Sequence, residues 1–273
     1  MKSTDITFVI VTFNSEKIIE DCLNSLPNES KKIIVENSGN ENLKINLEKN
    51  FTNLKCYIMK ENLGYGRANN FGISLAETDY IFILNPDVKF SNKTMNKLLD
   101  VLKDELFTIA APVDKNEVKE FNFNNRNLIE VEFVRGFAML LNKKNFLKGF
   151  FDENIFLYFE ENDFYERCLK KKKSIFLIEN SKINHKGNSS VDEKYKNEIE
   201  INRNWHLMWS TYYFHRKHFG IIAGYKKIFP KLFSAIFNVL IFLLINKRDK
   251  RKIYYASLIF VFSSRSLGFF RPW

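Results

Sequence analysis

The sequence is poor in cysteine, with three thiols in 273 residues (Cys22, Cys56 and Cys168) and no CxxC pair. An odd count without that spacing excludes a disulfide framework, offers no thiolate zinc site, and fits a reducing compartment. Acid is nearly missing from the last quarter. Residues 202–273 carry 13 Lys/Arg against one Asp/Glu, whereas residues 1–201 carry 29 against 31. The formal net charge of +10 therefore resides in the tail, and it calls for an anionic partner touched by that tail, either a membrane surface or a nucleic acid. Long apolar runs are missing too. Leu232 to Ile245 is fourteen residues interrupted by Ser234 and Asn238, and Ile253 to Phe262 is ten; both fall short of the ~20 residues that span a bilayer. Ile6 to Val11 is too short for a signal-peptide core, so export is not expected.

What is present is a regular alternation. With 45% apolar residues the chain can bury the core of one α/β domain and a smaller appendage. Strands are expected at Ile6–Thr12, Lys32–Val35, Cys56–Met59 and Tyr80–Leu84, separated by helices over Ser15–Leu26 and about Gly66–Ala76. That order implies a mostly parallel sheet with helices on both faces and ligands beyond the carboxyl ends of its strands. Farther on, a helix is expected over about Asn92–Lys103 and a strand over Val131–Leu141. A polar, Asn-rich stretch, Asn122–Asn127, lies between them. Another helix is expected from about Phe159 and a strand over Ser174–Ile178. Aromatic residues and Lys/Arg bordering the short apolar tail segments suit helices lying in a headgroup region, or else a helical hairpin packed on the domain or in a dimer.

Several side chains at expected strand ends have chemical potential. Asp87, in Asn85-Pro86-Asp87 after a strand, is placed to hold a divalent cation against a diphosphate, although the same tripeptide also makes an ordinary Asx/Pro turn. Arg67, at a helix start behind Gly64 and Gly66, suits phosphate or ribose; the segment lacks GxGxxG, which disfavours a dinucleotide site. Glu36-Asn37-Ser38-Gly39 can meet a nucleobase edge or simply turn. In the acidic cluster Glu160-Glu161-Asn162-Asp163, helical geometry puts Glu160, Asp163 and Arg167 on one face and Glu161 with Phe164, Tyr165 and Cys168. A carboxylate among apolar neighbours has its pKa raised and can act as a general base, which singles out Glu161. A capped helix start with an Asp163–Arg167 pair is the structural alternative. His185, in a polar loop after a strand, is a candidate metal ligand.

Taken in order, Ile10-Val11-Thr12-Phe13-Asn14, Val35-Glu36-Asn37-Ser38, Asn62-Leu63-Gly64-Tyr65-Gly66 through Asn70, Leu84-Asn85-Pro86-Asp87, Gly136-Phe137-Ala138-Met139-Leu140, Phe151-Asp152-Glu153, Tyr158 through Asp163 and His185-Lys186-Gly187-Asn188-Ser189 resemble the family 2 nucleotide-sugar glycosyltransferases of the GT-A fold, and especially their rhamnosyltransferase-like branch, over residues 5–220. The resemblance implies a catalytic domain over 1–220, with a nucleotide-binding part to about 105 and an acceptor part over 106–220, and a membrane-associating helical tail over 221–273. It implies that Thr12, Phe13, Asn14, Glu36, Ser38, Asn62, Gly64, Arg67, Asn70, Asn85 and Asp87 surround the nucleotide-sugar donor. Gly136, Glu160 and Asp163 would face donor sugar or acceptor, Glu161 would be the base, and Asp87 with His185 would hold magnesium or manganese. Glu161 and Glu36 each stand where the family usually has Asp, and Asn85 replaces the first acid of its metal-binding element. With no QxxRW element, processive synthesis is not expected.

The implied reaction is inverting transfer of rhamnose or a hexose to a glycan acceptor, polyprenyl-linked, at the cytoplasmic face of the plasma membrane. A homodimer is allowed and no nucleic-acid partner is expected. A nucleotidyltransferase and a basic-tailed nucleic-acid-binding module are the alternative readings.

Overall fold

A computed structural model describes residues 2–91, 94–103, 106–115, 123, 127–146, 149–185 and 196–262. Two compact units emerge: Met1–Leu63, Arg67–Phe150 and Phe164–Ser190 form the first, and Gly64–Gly66, Phe151–Asp163 and Val191–Trp273 the second. The sequence boundary at residue 220 is a different division, since the helix before it groups with the tail.

The first unit is built on strands β1 (Ile6–Thr12), β2 (Lys31–Glu36), β3 (Leu54–Ile58), β4 (Tyr80–Leu84), β5 (Val88–Phe90), β6 (Ile109–Asp114), β7 (Leu128–Glu130), β8 (Ala138–Asn142) and β9 (Ile175–His185), with helices α1 (Glu16–Leu23), α2 (Glu41–Asn50) and α4 (Thr94–Leu102); helices α3 (Gly64–Leu75) and α5 (Glu160–Lys170) are divided, Gly64–Gly66 and Glu160–Asp163 grouping with the second unit. The sheet order is β3-β2-β1-β4-β8-β6-β9-β5, with β7 paired to β9. The first four strands are parallel to one another. β8 joins β4 antiparallel, so the farther half of the sheet is mixed.

Covering both faces of parallel strands demands near-continuous apolar runs, and six of the seven β1 residues are buried. Phe8 stacks on Phe82 with ring centroids 5.3 Å apart, and Phe90 closes on both edgewise. Helix α3 approaches the sheet closely at Gly72, where a Cβ would lie 2.4 Å from Val9 Cγ1 and 3.2 Å from Val35 Cγ2. Helix α2, not expected from the sequence, buries only Leu43 and Leu47, one turn apart. Its start is fixed by Asn40, whose side chain accepts from the Leu43 amide at 2.9 Å.

Two expectations are corrected. Val131–Leu141 is not one strand: β7 ends at Glu130 and β8 begins at Ala138, with a turn at Arg135-Gly136 closed by the Ala138 amide on the Arg135 carbonyl at 3.5 Å. The tail is also more continuous than its interrupted apolar runs suggested. The second unit contains α6 (Lys196–Phe219), α7 (Ile221–Leu244) and α8 (Arg248–Phe262). Helix α7 runs through Pro230, Ser234 and Asn238 for 24 residues. Its length and composition suffice to cross a membrane. Trp205, Met208, Trp209, Tyr212, Ile228 and Ala256 form the core shared by the three helices.

Candidate functional site

In the first unit, the parallel register carries the N-terminal candidates to one edge. Thr12 lies opposite Glu36, and Ile10 lies opposite Leu84, so Thr12, Phe13, Asn14, Glu36, Ser38, Asn85 and Asp87 are at or just beyond the carboxyl ends of three adjacent strands, where α/β sheets receive ligands. Glu36 is fully buried. One oxygen accepts from Thr12 Oγ1 at 2.5 Å and the other from the Ser38 amide at 2.6 Å and the Ser38 hydroxyl. The carboxylate thus ties two strand ends together and holds the following loop. The Asn14 amide reaches Ser38 Oγ at 3.5 Å, and Asn14 takes a positive φ of 51°, a conformation asparagine tolerates better than most residues. Asn37 Oδ1 accepts from the Leu63 amide at 3.3 Å, which brings the Asn62 segment to the same loop. Arg67 and Asn70, three residues apart on α3, share a helix face.

Asp87 is the chemically unusual member. It is only 14% exposed, and its Oδ2 lies 3.2 Å from His185 Nε2. Its Oδ1 is buried without a hydrogen-bond partner. An acceptor left so is costly unless something fills the place. Val88 pairs with His185 across β5 and β9, which fixes its backbone, and Phe137 stacks on its ring at 4.0 Å. The Phe137 carbonyl also accepts from the Asn85 amide at 2.8 Å, so the loop at Gly136 meets the Asn85–Asp87 turn. Sequence reading noted Gly136 and missed its neighbour. Buried beside Asp87 is Cys22, whose thiol pKa is pushed up by burial and by the Asp87 charge, which leaves it inert as a nucleophile.

A carboxylate with one unsatisfied oxygen and an adjacent imidazole fit a divalent cation of the magnesium or manganese type. Among the described residues there is no group of three or more His, Cys, Asp and Glu able to hold a metal alone. The remaining donors would have to be substrate phosphates and water, as is common for magnesium.

The second unit holds the acidic cluster. Tyr158 and Phe159 both take positive φ, 68° and 69°, strained for bulky side chains. The strain sits immediately before Glu160 and is held from α6: Ser210 Oγ donates to the Leu157 carbonyl at 2.7 Å, Trp209 Nε1 to the Asn154 carbonyl at 3.3 Å, and Phe159 packs on Phe214 at 5.2 Å. Glu160 is buried with Oε2 lacking a hydrogen-bond partner. Its pKa is driven well up, first by burial and then by the neighbouring Glu161 charge. Glu161 is partly buried, and burial raises its pKa as well. Gly66 makes room for this segment, since a Cβ there would lie 3.1 Å from Phe151 Cβ and 3.7 Å from Glu160 Cβ.

Asp163, expected to face a sugar, has no exposed side-chain surface; its Oδ1 meets Lys217 Nζ at 2.5 Å and His218 Nε2 at 2.7 Å. Lys217 also reaches Asp152 Oδ2 at 2.7 Å, and Tyr213 donates to the same oxygen at 2.9 Å. Arg167, placed with Asp163 on one helix face by the sequence, donates to the Gly149 and Phe150 carbonyls. Sequence reasoning assigned no role to His218 or Lys217. Their partners lie 55 and 65 residues away, where no local pattern could reveal them. Most of Asn122–Asn127, and Lys186–Ser190 of the His185 loop, lie outside the described residues.

Known proteins extend this picture. The chain is 22% identical over 197 residues to the low-salt glycan biosynthesis hexosyltransferase Agl10 of Haloferax volcanii, covering 63% of this chain and 64% of that one. It is 24% identical over 229 residues to the minor teichoic acid biosynthesis protein GgaB of Bacillus subtilis, covering 74% of this chain and 25% of that one. The chain thus spans under two thirds of either relative. In architecture it is similar to the mannosyltransferase PcManGT of Pyrobaculum calidifontis, solved with GDP-Man and Mn2+. The TM-score is 0.57 at 11% identity, over 93% of this chain and 86% of that one. That likeness shows a GT-A glycosyltransferase fold. The sequence profile described as glycosyl transferase family 2 matches residues 7–167, more than half of the chain, and the chain belongs to that family.

Proposed function

We propose that this protein transfers a sugar, rhamnose or a hexose, from a nucleotide diphosphate donor to a hydroxyl of a glycan acceptor, with inversion at the anomeric carbon. The observation that carries this reading is the buried, unsatisfied Oδ1 of Asp87 beside His185, at the carboxyl edge where Thr12 and Glu36 also end. The family and the relatives in glycan and teichoic acid synthesis support it.

Asp87 and His185 would hold the cation, which when bound offsets the charge gathering on the departing diphosphate. Thr12, Phe13, Asn14, Glu36 and Ser38 would shape the nucleoside pocket, with Arg67 toward ribose or phosphate. Glu161 would take the proton of the acceptor hydroxyl as its oxygen bonds to the anomeric carbon. The bond to the diphosphate oxygen breaks on the opposite face and that oxygen keeps the electron pair. A carboxylate whose pKa burial has raised is a stronger base than an exposed one. Glu160 and Asp163 serve this reading as the buried carboxyl groups that shape the helix start. The acceptor would be polyprenyl-linked, and the basic aromatic tail would keep the enzyme on the cytoplasmic face of an anionic membrane.

A thermal-shift screen of nucleotide sugars with and without manganese tests the donor site. The cognate donor should raise Tm only with the cation, and Asp87→Asn should abolish that rise. At a hundred times Kd the stabilisation is about 2.7 kcal/mol. A cation-independent shift, or one retained by Asp87→Asn, would refute the assignment.

A further inference from the structure

Helix α7 presents a face that the described residues of its own unit leave uncovered. Ile222, Phe229, Phe233, Phe237, Leu240 and Leu244 are between 53% and 84% exposed. At ~100° per residue they fall within an arc of ~80°, over a helix of ~36 Å. Exposed Lys226 is the one charged residue within that arc; from Phe229 to Leu244 the stripe is apolar, and an apolar stripe of that length on a protein surface marks an interaction site. At the end of α7 stand Lys247, Arg248, Lys250, Arg251 and Lys252, with Asp249 the single acid of residues 202–273.

The opposite face of the same helix is occupied. Gly224, Ile228 and Ala235 are buried. Gly224 lies so close to Tyr212 that a Cβ would be 3.0 Å from its ring. Lys231 Nζ donates to Thr211 Oγ1 at 3.2 Å. To cross a bilayer, α7 would have to strip away α6 and α8 or carry them in, together with Lys226, Lys227 and Lys231 of its own first half. Lying flat requires neither, because the apolar face meets acyl chains while lysine stems at the flanks reach headgroups.

We propose that α7 is an in-plane anchor, immersed along its whole length at the surface of an anionic bilayer while its other face stays packed on α6 and α8. The basic corner selects the partner. Juxtamembrane Lys/Arg clusters are drawn to anionic headgroups, whereas a second copy meeting this face by its own tail would bring the corner only Asp249, set among five cations of its own. The inference deepens the membrane part of the proposed function and is independent of the donor.

The test uses the full chain with vesicles of phosphatidylcholine containing about a third phosphatidylglycerol, against phosphatidylcholine alone, at low and high salt. Binding should need the anionic lipid and weaken with salt. Replacing Phe229, Phe233 and Phe237 by Ser should weaken it roughly tenfold per residue while the donor-induced thermal shift persists, which shows that the protein is folded and separates this inference from the donor site. Bimane on Ile222→Cys, Phe233→Cys and Leu244→Cys should be quenched equally by lipids brominated near the headgroup. Deep quenching at position 233 with shallow quenching at both ends would show a span and overturn the proposal. So would failure to bind vesicles, including the case of a dimer sealed through this face.

Discussion

Replacing Lys217 by Met keeps most of the stem and removes the ammonium that joins Asp163 to Asp152. Asp163 has no exposed side-chain surface and Asp152 has 11%. Breaking a buried ion pair by deleting one partner costs about 3–5 kcal/mol. Lys217 retains 29% exposure, so water screens part of the loss, and about 2–3 kcal/mol is expected. Hydrogen exchange reads this locally. The Ile155 amide bonds the Asp152 carbonyl at 3.0 Å and the Asp163 amide the Phe159 carbonyl at 2.8 Å; both should exchange roughly 30 to 150 times faster in Lys217→Met. Lys89→Met, which breaks a more exposed pair with Asp21, should move local exchange by about fivefold at most. Burial by itself would raise the Asp152 pKa, but the Lys217 ammonium, the Asn154 amide and the Tyr213 hydroxyl outweigh it and hold it below the ordinary carboxylate value. A depressed acid contributes stability above its unfolded pKa and loses it as pH falls through the folded one. The difference between wild type and Lys217→Met should therefore shrink below about pH 4. Exchange in Lys217→Met within about threefold of wild type at neutral pH would refute the reasoning.

The raised pKa values of Glu160 and Glu161 run the other way. A folded state that binds extra protons above the ordinary glutamate value loses stability as pH rises past that value, so Glu160→Gln should flatten the fall in Tm as pH rises above about 4.5 and be the more stable protein at high pH. The same shift on Glu161 should place the acidic limb of the kcat profile above about pH 4.5. Gly72→Ala sets a methyl 2.4 Å from Val9 Cγ1; overpacking should cost about 1–3 kcal/mol in denaturant unfolding, and Val9→Ala in the same protein should recover most of it.

The sequence showed the first half of the sheet plainly because parallel strands buried on both faces must be nearly continuous apolar runs, as Ile6–Thr12 and Tyr80–Leu84 are. Residue by residue it showed Asp87 and His185 as separate candidates, and only the family resemblance joined them as one metal site, because their contact depends on β5 pairing with β9 across almost a hundred residues. Helix α2 escaped notice because two leucines suffice for its buried face. Helix α7 was read as a shorter run because hydropathy breaks at Pro230 and Lys231, whereas a helix supported on one side by α6 and α8 tolerates both. The second unit's charged network was illegible for the same reason as the His185 contact. Asp152 and Asp163 look like surface acids until α6 brings Lys217 and His218 to them.

The division of labour between two carboxylates is tested most directly by single-turnover transfer from the cognate nucleotide sugar, with donor binding measured on the same samples. Glu161→Gln should bind donor and cation as wild type does and turn over about 100 to 10,000 times more slowly, while Asp87→Asn should lose the cation-dependent binding itself. Full turnover in Glu161→Gln, or unchanged cation-dependent donor binding in Asp87→Asn, would contradict the account.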